Sequence, residues 1–207
     1  MQVEAFNFQG QRFTNLDVIK KVHYENFSIF LVIDGFKQDE AVLTRQHIEQ
    51  FVEELFRIVT SSTGYSQFMS FLKQLDKGFN ASVSFLWLEK DKCHVGFCGD
   101  CRVYLNGNLK TVDHTHAWKM CSRKIMNPNV IGELCITHPY QNVLSKTIKD
   151  HECEIIDFDL QSGDEIFIIT DGGWQHLHQK IINKECNPIE LCNEIFNDNA
   201  SGYYIKI

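Results

Sequence analysis

Hydrophobic and polar residues alternate near the start of the chain, and the alternation then gives way to a continuous apolar run. The alternating stretches, residues 3–8 and 18–22, predict two strands that each bury one face. Residues 26–33 (NFSIFLVI) are mostly apolar, which is typical of a central strand buried on both faces. We expect this strand to end at Asp34 and Gly35.

Between residues 44 and 75 the apolar period changes to three and four residues, which predicts two amphipathic helices. The break between them falls at residues 61–64 (SSTG). The apolar positions are Ile48, Phe51, Val52, Leu55, Phe56 and Val59 in the first helix, and Phe68, Phe71, Leu72 and Leu75 in the second.

The rest of the chain is predicted to be mostly strands, with one long helix before the last of them. Residues 113–150 show no sustained period and are predicted as loop and short helix. The predicted strands are residues 81–88, 93–97, 102–105, 109–112, 154–160, 165–170 and 203–207, and the predicted helix is 173–197. Runs of strands separated by runs of helices favour an α+β sandwich over a parallel βαβ fold.

Composition and charge narrow the class of protein. The chain has 207 residues, 20 basic and 27 acidic, and a formal net charge of −7. The length suits one domain, and the acidic balance argues against nucleic acid or a membrane surface as the main partner. No apolar run reaches the ~18 residues of a membrane span, and the first residues do not resemble a signal peptide. We therefore expect a cytoplasmic protein.

The cysteines and histidines give only weak signals of chemistry. In a reducing compartment the eight cysteines are interpreted mainly as small buried side chains. Cys98 and Cys101 have C-x-x-C spacing, but they lie in a strand-like stretch without a second such pair, so a redox or zinc site is a minor alternative. His176 and His178 are two residues apart and would not share a helix face, which argues against a histidine zinc site.

Aspartates recur at the ends of predicted strands. Asp34, Asp100 and Asp171 each follow an apolar strand, and Asp198 precedes the last strand. A carboxylate in such a place costs desolvation energy unless it is paired or binds a cation. Several of them at one sheet edge would favour a hard divalent cation, such as Mg²⁺ or Mn²⁺. Ordinary Asp-Gly turns are the alternative interpretation.

Seven segments resemble, in order, the motifs of the protein phosphatase 2C-type (PPM) metal-dependent Ser/Thr phosphatases, in their compact bacterial form. They are residues 10–17 (GQRFTNLD), 30–35 (FLVIDG), 97–104 (FCGDCRVY), 112–115 (VDHT), 137–145 (THPYQNVLS), 163–172 (GDEIFIITDG) and 198–199 (DN). The resemblance implies one α+β domain over residues 1–207, a β-sandwich of two antiparallel sheets flanked by helices (four layers, αββα). It also implies a short flap-like insertion at about 115–137.

The same resemblance implies a set of metal ligands. Asp34, Asp171 and Asp198 would hold two divalent cations, Mg²⁺ or Mn²⁺. Asp34 would bridge the two cations, and the carbonyl of Gly35 would join the second. Asp100 would serve a third, weaker site together with Asp171.

The remaining implied roles concern water and substrate. Asp17 would orient metal-bound water, and Arg12 would contact the substrate phosphate. The implied activity is hydrolysis of phosphoserine and phosphothreonine in a signalling context by a metal-activated water, without a covalent enzyme intermediate. The implied partner is a phosphorylated protein; the sequence predicts neither its identity nor an oligomeric state.

Two departures from the family pattern keep other hypotheses open. Leu16 stands where the family has a glutamate, and Phe36, Lys37 and Gln38 replace a small, glycine-rich stretch. These changes favour a pseudophosphatase-like binding module with a weakened metal site. Phosphatase chemistry on a small phosphorylated molecule is the third hypothesis.

Overall fold

The computed structural model describes residues 1–36, 45–75, 78–186 and 196–207. Within these ranges the chain forms ten strands and five helices. In chain order they are β1 (Gln2–Phe8), β2 (Val18–His23), β3 (Ser28–Gly35), α1 (Arg45–Ile58), α2 (Tyr65–Gln74), β4 (Ala81–Leu88), β5 (Lys92–Cys98), β6 (Arg102–Leu105), β7 (Asn108–Leu109), α3 (His116–Cys121), α4 (Pro128–Ile136), β8 (Glu154–Asp159), β9 (Glu165–Ile169), α5 (Asp171–Ile182) and β10 (Ala200–Lys206).

The strands form two five-stranded antiparallel sheets that pack face to face. Sheet A has the order β1-β10-β9-β6-β7, and sheet B has the order β2-β3-β4-β5-β8. Alternate side chains of each strand fill the space between the sheets, where the rings of Phe30 and Tyr203 meet edge to face at 5.3 Å. The intervening side chains point outward to the helices, as Ile29 and Leu31 do on β3.

Helices cover the outer face of each sheet. The helices α1 and α2 pack on sheet B, where Ile48 and Phe68 are fully buried. The helices α3, α4 and α5 pack on sheet A, with Trp174 and Leu177 of α5 in that core. The four layers confirm the α+β sandwich that the sequence predicts. None of the described helices is long and apolar enough to cross a membrane.

Most predicted elements appear close to their predicted bounds. The strands at 81–88 and 102–105 match fully, and the hairpin strand predicted at 109–112 is shorter, Asn108–Leu109. The long helix predicted at 173–197 begins at Asp171 and ends at Ile182, so the prediction was wrong for residues 183–186 and 196–197. The chain turns after Ile182, where Lys184 has a positive φ of 59°. The predicted positions 187–195, and residue 44 at the predicted start of α1, lie outside the described residues.

The irregular segment 113–150 contains two short helices whose ends are fixed by side chains. The hydroxyl of Thr115 accepts a hydrogen bond from the Trp118 amide at 3.1 Å and caps α3. Asn127 caps α4 in the same way, and Pro128 occupies the first helical position, where no backbone donor is needed. The pattern of an N-cap residue followed by proline was a local signal for α4.

Candidate active site

Five segments of the chain meet at one edge of the two sheets. They are the loop 9–17, the end of β3, the turn between β5 and β6, the start of α5, and residues 198–199 before β10. Contacts between residues distant in sequence join them, such as the hydrogen bond from Thr170 to Asp17 and the ion pair between Arg12 and Asp198. All the predicted site residues therefore lie in one region.

Asp34 and Asp171 form the centre of this region. Both residues are half-buried, and their carboxyl groups interact, since each shifts the pKa of the other. Burial, followed by the charge of Asp171, raises the pKa of Asp34 well above its ordinary range. Burial also raises the pKa of Asp171, and the charge of Asp198 acts in the same direction. Among the described residues, the aspartates here outnumber the arginines that interact with them, Arg12 and Arg102.

Asp17 lies beside this pair and is almost fully buried, at 1% exposure. Its Oδ2 accepts a hydrogen bond from the Thr170 hydroxyl at 2.8 Å, whereas its Oδ1 is buried without a hydrogen-bond partner in the described part of the chain. Burial raises the pKa of Asp17 to about 7, although the bond from Thr170 lowers it. A buried carboxyl oxygen without a partner costs free energy, which a cation or an ordered water would offset.

Asp100 is held by its neighbours in both sheet and helix. The hydroxyl of Ser82 donates to its Oδ1 at 2.6 Å, and the indole of Trp174 donates to its carbonyl at 2.8 Å. Burial, with the charge of Asp171 second, raises the pKa of Asp100 to about 8. Gly99 precedes it with φ +103, and a Cβ there would lie 2.2 Å from the Ser82 hydroxyl, so only glycine fits this turn.

Asp198 is paired with Arg12 across 186 positions of sequence. The guanidinium donates from Nε to Oδ1 at 2.7 Å and from Nη2 to Oδ2. Arg12 remains 61% exposed and Asp198 30% exposed, so both are reachable from solvent. The structure thus brings together a predicted phosphate ligand and a predicted metal ligand, which here bind each other.

The turn before β10 is in close contact with the start of α5. A Cβ on Gly172 would lie 2.2 Å from the Asn199 carbonyl oxygen and 2.9 Å from the Asp198 Cβ. The side chain of Asn199 spans the loop 9–17, since its Nδ2 donates to the Gln9 carbonyl at 2.8 Å and its Oδ1 accepts from the Leu16 amide at 3.0 Å. Glycine at 172 therefore allows the Asp171 and Asp198 segments to lie side by side.

The donor chemistry fits a hard divalent cation, because the region offers carboxylate oxygens and the unpartnered Oδ1 of Asp17. The positions of these side chains fit a single metal ion less well than their oxygen atoms do. Among the described residues, no three His, Cys, Asp or Glu side chains stand where they could hold one metal ion together. The metal roles predicted for Asp34, Gly35, Asp171, Asp198, Asp100 and Asp17 stay predictions, as does the phosphate contact of Arg12.

The two departures from the family pattern have different surroundings. Leu16 is buried at 8% exposure and belongs to the core between sheet B and α1, with its backbone near Gly35. Phe36 is half-buried directly after β3. Lys37 and Gln38 lie outside the described residues. The place of the family glutamate is thus filled by a core side chain.

The weaker chemical signals have structural explanations. Cys98 and Cys101 are both buried, and burial raises the pKa of the Cys101 thiol well above its ordinary range, which opposes the reactive thiolate of a redox site. His178 is fully buried, and its Nδ1 contacts the Tyr104 hydroxyl at 2.8 Å. It is a core histidine in this structure.

Sequence reasoning missed the residues that orient the acids. Ser82 and Thr170 hold Asp100 and Asp17, and neither was singled out. Thr170 had a local signal, because it stands at the N-cap of α5 directly before Asp171. Ser82 had none, since its role depends on the register that places it opposite Asp34 on β3.

Comparison with known proteins gives a fold but no close relative. No protein-family model matches the sequence, and no curated protein matches it. Among solved structures, the S. agalactiae serine/threonine phosphatase is similar with a TM-score of 0.73 at 18% identity, covering 100% of this chain and 99% of that one. Stp1 from Staphylococcus aureus gives 0.72 at 17% identity, covering 100% and 94%.

A third structure was solved with metal. The catalytic domain of the serine/threonine protein phosphatase PstP, in complex with two manganese ions, has a TM-score of 0.67 at 14% identity and covers 98% of this chain and 96% of its own. Identities this low establish the fold alone. The chain has the fold of the PPM-type Ser/Thr phosphatases, as its motifs predicted.

Proposed function

We propose that the chain is a divalent-metal-dependent phosphatase that hydrolyses phosphoserine and phosphothreonine in proteins. The observation that supports this most is the cluster of carboxyl groups around Asp34 and Asp171, which has one exposed arginine, Arg12, at its rim. Buried acids with raised pKa values in an uncompensated group are typical of metal and catalytic sites. The cluster lies at the strand ends of a fold shared with serine/threonine phosphatases.

The proposed metal ligands are oxygens that lie at this edge of the sheets. Two cations, Mg²⁺ or Mn²⁺, would be held by Asp34, Asp171, Asp198 and the carbonyl of Gly35, and a third, weaker one by Asp100 with Asp171. When bound, the cations would supply an activated water and positive charge for the phosphoryl group. The two manganese ions in the PstP structure support this choice of metal.

The chain's own residues would orient the reaction. The guanidinium of Arg12 is planar and already makes a two-pronged bond to a carboxylate, so it has the geometry to bind two phosphoryl oxygens. Asp17, fixed by Thr170, would orient water through its unpartnered oxygen. Neither role requires a nucleophilic cysteine or serine, which agrees with the burial of Cys98 and Cys101.

A pseudophosphatase-like binding module is the second candidate, and the buried Leu16 favours it. Where the family has a carboxylate that supports metal-bound water, this chain has a core side chain at 8% exposure. Loss of such an outer partner typically weakens metal affinity about 10–100-fold. A chain of this kind would keep the fold and bind a partner without turnover.

Hydrolysis of p-nitrophenyl phosphate and of a phosphoserine peptide, with Mn²⁺, with Mg²⁺ and with chelator, tests the proposal. We expect turnover that needs the metal. Asp171→Asn should lower kcat/KM at least about 100-fold and leave the fold intact, because it removes a proposed ligand common to two sites. Asp157→Asn, an exposed acid on β8, is the matched control and should keep full activity.

Three outcomes would contradict the proposal. Unchanged turnover in Asp171→Asn would remove the metal-site assignment. Turnover of the small ester without any phosphopeptide would indicate a small phosphorylated substrate. No turnover of either substrate by folded protein at millimolar metal would favour the binding module.

A further inference from the structure

Phe13 is the most exposed large apolar side chain of the described chain, at 102%. A single exposed hydrophobic residue needs no explanation by itself. The position of Phe13 is unusual, because it directly follows Arg12, the proposed phosphate ligand at the rim of the carboxyl cluster. The Phe13 ring buries no apolar area against the described part of its own chain.

The side chain of Gln9 bonds to the backbone around Phe13. The side-chain amide of Gln9 donates to the carbonyls of Arg12 at 2.7 Å and Phe13 at 3.1 Å. The carbonyl of Gln9 is in turn held by Asn199 at 2.8 Å. The loop is thereby tied to the turn that carries Asp198, and the exposed Phe13 ring belongs to this tied loop.

The spacing of a peptide fits this arrangement. Consecutive Cα atoms lie about 3.8 Å apart, and an extended peptide advances by about 3.3–3.6 Å per residue. Arg12 and Phe13 are consecutive, so a phosphorylated side chain bound by Arg12 would leave the next residue of its peptide to be met by a loop residue one position away, Phe13. An apolar neighbour would bury the ring, whereas glycine would leave it exposed.

We propose that Phe13 determines substrate specificity by selecting phosphopeptides with an apolar residue next to the phosphorylated serine or threonine. This inference rests on the proposed phosphatase function. Phe13 contacts no reacting atom, and its effect falls on kcat/KM for one peptide relative to another. A small phosphorylated metabolite would lack the neighbouring residue and would gain nothing from Phe13.

Two phosphoserine peptides test the inference, identical except that leucine or glycine flanks the phosphorylated residue on both sides. With Mn²⁺ present, we expect the wild-type protein to prefer the leucine peptide about tenfold in kcat/KM. Phe13→Ala should bring the ratio to within about twofold of unity, and Phe13→Leu should keep most of it, because the aliphatic chain still offers apolar area. Ile155→Ala removes an exposed apolar side chain from β8 and should keep the wild-type ratio.

The outcomes distinguish a failure of the specificity role of Phe13 from a failure of the proposed phosphatase function. Equal kcat/KM for both peptides in the wild-type protein would overturn the specificity role and leave the phosphatase function standing. A preference that survives in Phe13→Ala would also overturn it. Hydrolysis of neither peptide would overturn the phosphoprotein phosphatase function and this inference together.

Discussion

Two groups of buried charge lie next to each other in this molecule and are compensated in opposite ways. Asp100 belongs to the carboxyl cluster at the sheet edge. Arg102, two residues along the chain, belongs to an ion pair under the helices of sheet A. Trp174 links the groups, because its indole donates to the Asp100 carbonyl while Arg102 lies over its ring at 3.5 Å.

The charges of the ion pair are compensated within the protein. Arg102 is fully buried and makes a two-pronged bond to Asp113, at 3.0 Å from Nε and 2.7 Å from Nη2. The second nitrogen also donates to the Gly132 carbonyl at 3.1 Å, which ties α4 to the sheet. Every charge here has a partner from the protein, so the pair needs nothing from outside.

The carboxyl cluster lacks this balance. Asp17, Asp34, Asp100 and Asp171 all have raised pKa values. Of the described arginines that act on them, Arg12 is bound to Asp198 and Arg102 to Asp113. The pKa of Arg102, by contrast, is raised by Asp113 despite burial. Burial alone therefore does not mark a functional charge, since Arg102 and Asp113 are buried and fully paired.

Removing Arg102 should break the balanced group and have the largest effect on stability. We expect Arg102→Met to lower the free energy of unfolding by about 3–5 kcal/mol, because it leaves Asp113 buried and unpaired. Chemical denaturation measures this. The control is Arg45→Met, which removes an exposed partner of Glu49 on α1 and should cost less than about 1 kcal/mol. Equal losses in the two variants would contradict a structural role for the buried pair.

The raised pKa values in the carboxyl cluster should make the free energy of unfolding depend on pH. Folding raises the pKa of Asp17 to about 7 and of Asp100 to about 8, whereas an unfolded aspartate titrates near about 4. The folded chain thus retains protons that the unfolded chain releases, so this stability is full below about pH 4 and is lost as pH rises through the folded values. In chelator, the free energy of unfolding should therefore fall between about pH 4 and 8, by up to about 1.4 kcal/mol per pH unit for each such carboxyl, and should level off above the folded pKa values.

The pH range above about 6.5 and the Asp100→Asn variant separate the effect of these aspartates from that of the buried histidines. Burial lowers the pKa of His114 and of His178, so their contribution to stability is lost only as pH falls below about 6.5. Asp100→Asn should flatten the slope above that pH. A profile that is flat in the wild-type protein, or as steep in Asp100→Asn, would show that these acids do not retain their protons. Added Mn²⁺ should also flatten the profile if it binds the cluster.

The fold was largely predictable because its signals are local and redundant. Strand β3 is a continuous apolar run that the structure buries on both faces, and α1 repeats its apolar positions at helical spacing. The two helices in 113–150 were harder to predict, because they are short and are defined by the caps Thr115 and Asn127 more than by a period. Short elements of this kind depend on single side chains.

The site was predictable in its members and less so in its contacts. Strand-end positions identified Asp34, Asp100 and Asp171, and the structure places all three at one edge. The bond between Arg12 and Asp198 joins residues 186 positions apart, and no local pattern encodes such a contact. Leu16 is the case where sequence and surroundings together are informative, since a core leucine lies where a carboxylate would extend the cluster.

Leu16→Glu would add one carboxyl to the carboxyl cluster. We expect it to have the smallest effect of these variants. In chelator we expect lower stability than in Leu16→Met, a volume-matched control, because the added charge is buried near Asp17 without a partner. With Mn²⁺ the difference should shrink, and the metal concentration at half-maximal activity should fall about tenfold, since an outer-shell carboxylate supports metal-bound water. Leu16→Gln, which can accept a hydrogen bond without charge, should lie between them. Equal metal midpoints in the glutamate and methionine variants, measured by activity and by calorimetric titration, would mean that the cluster gains its cation without support from this position.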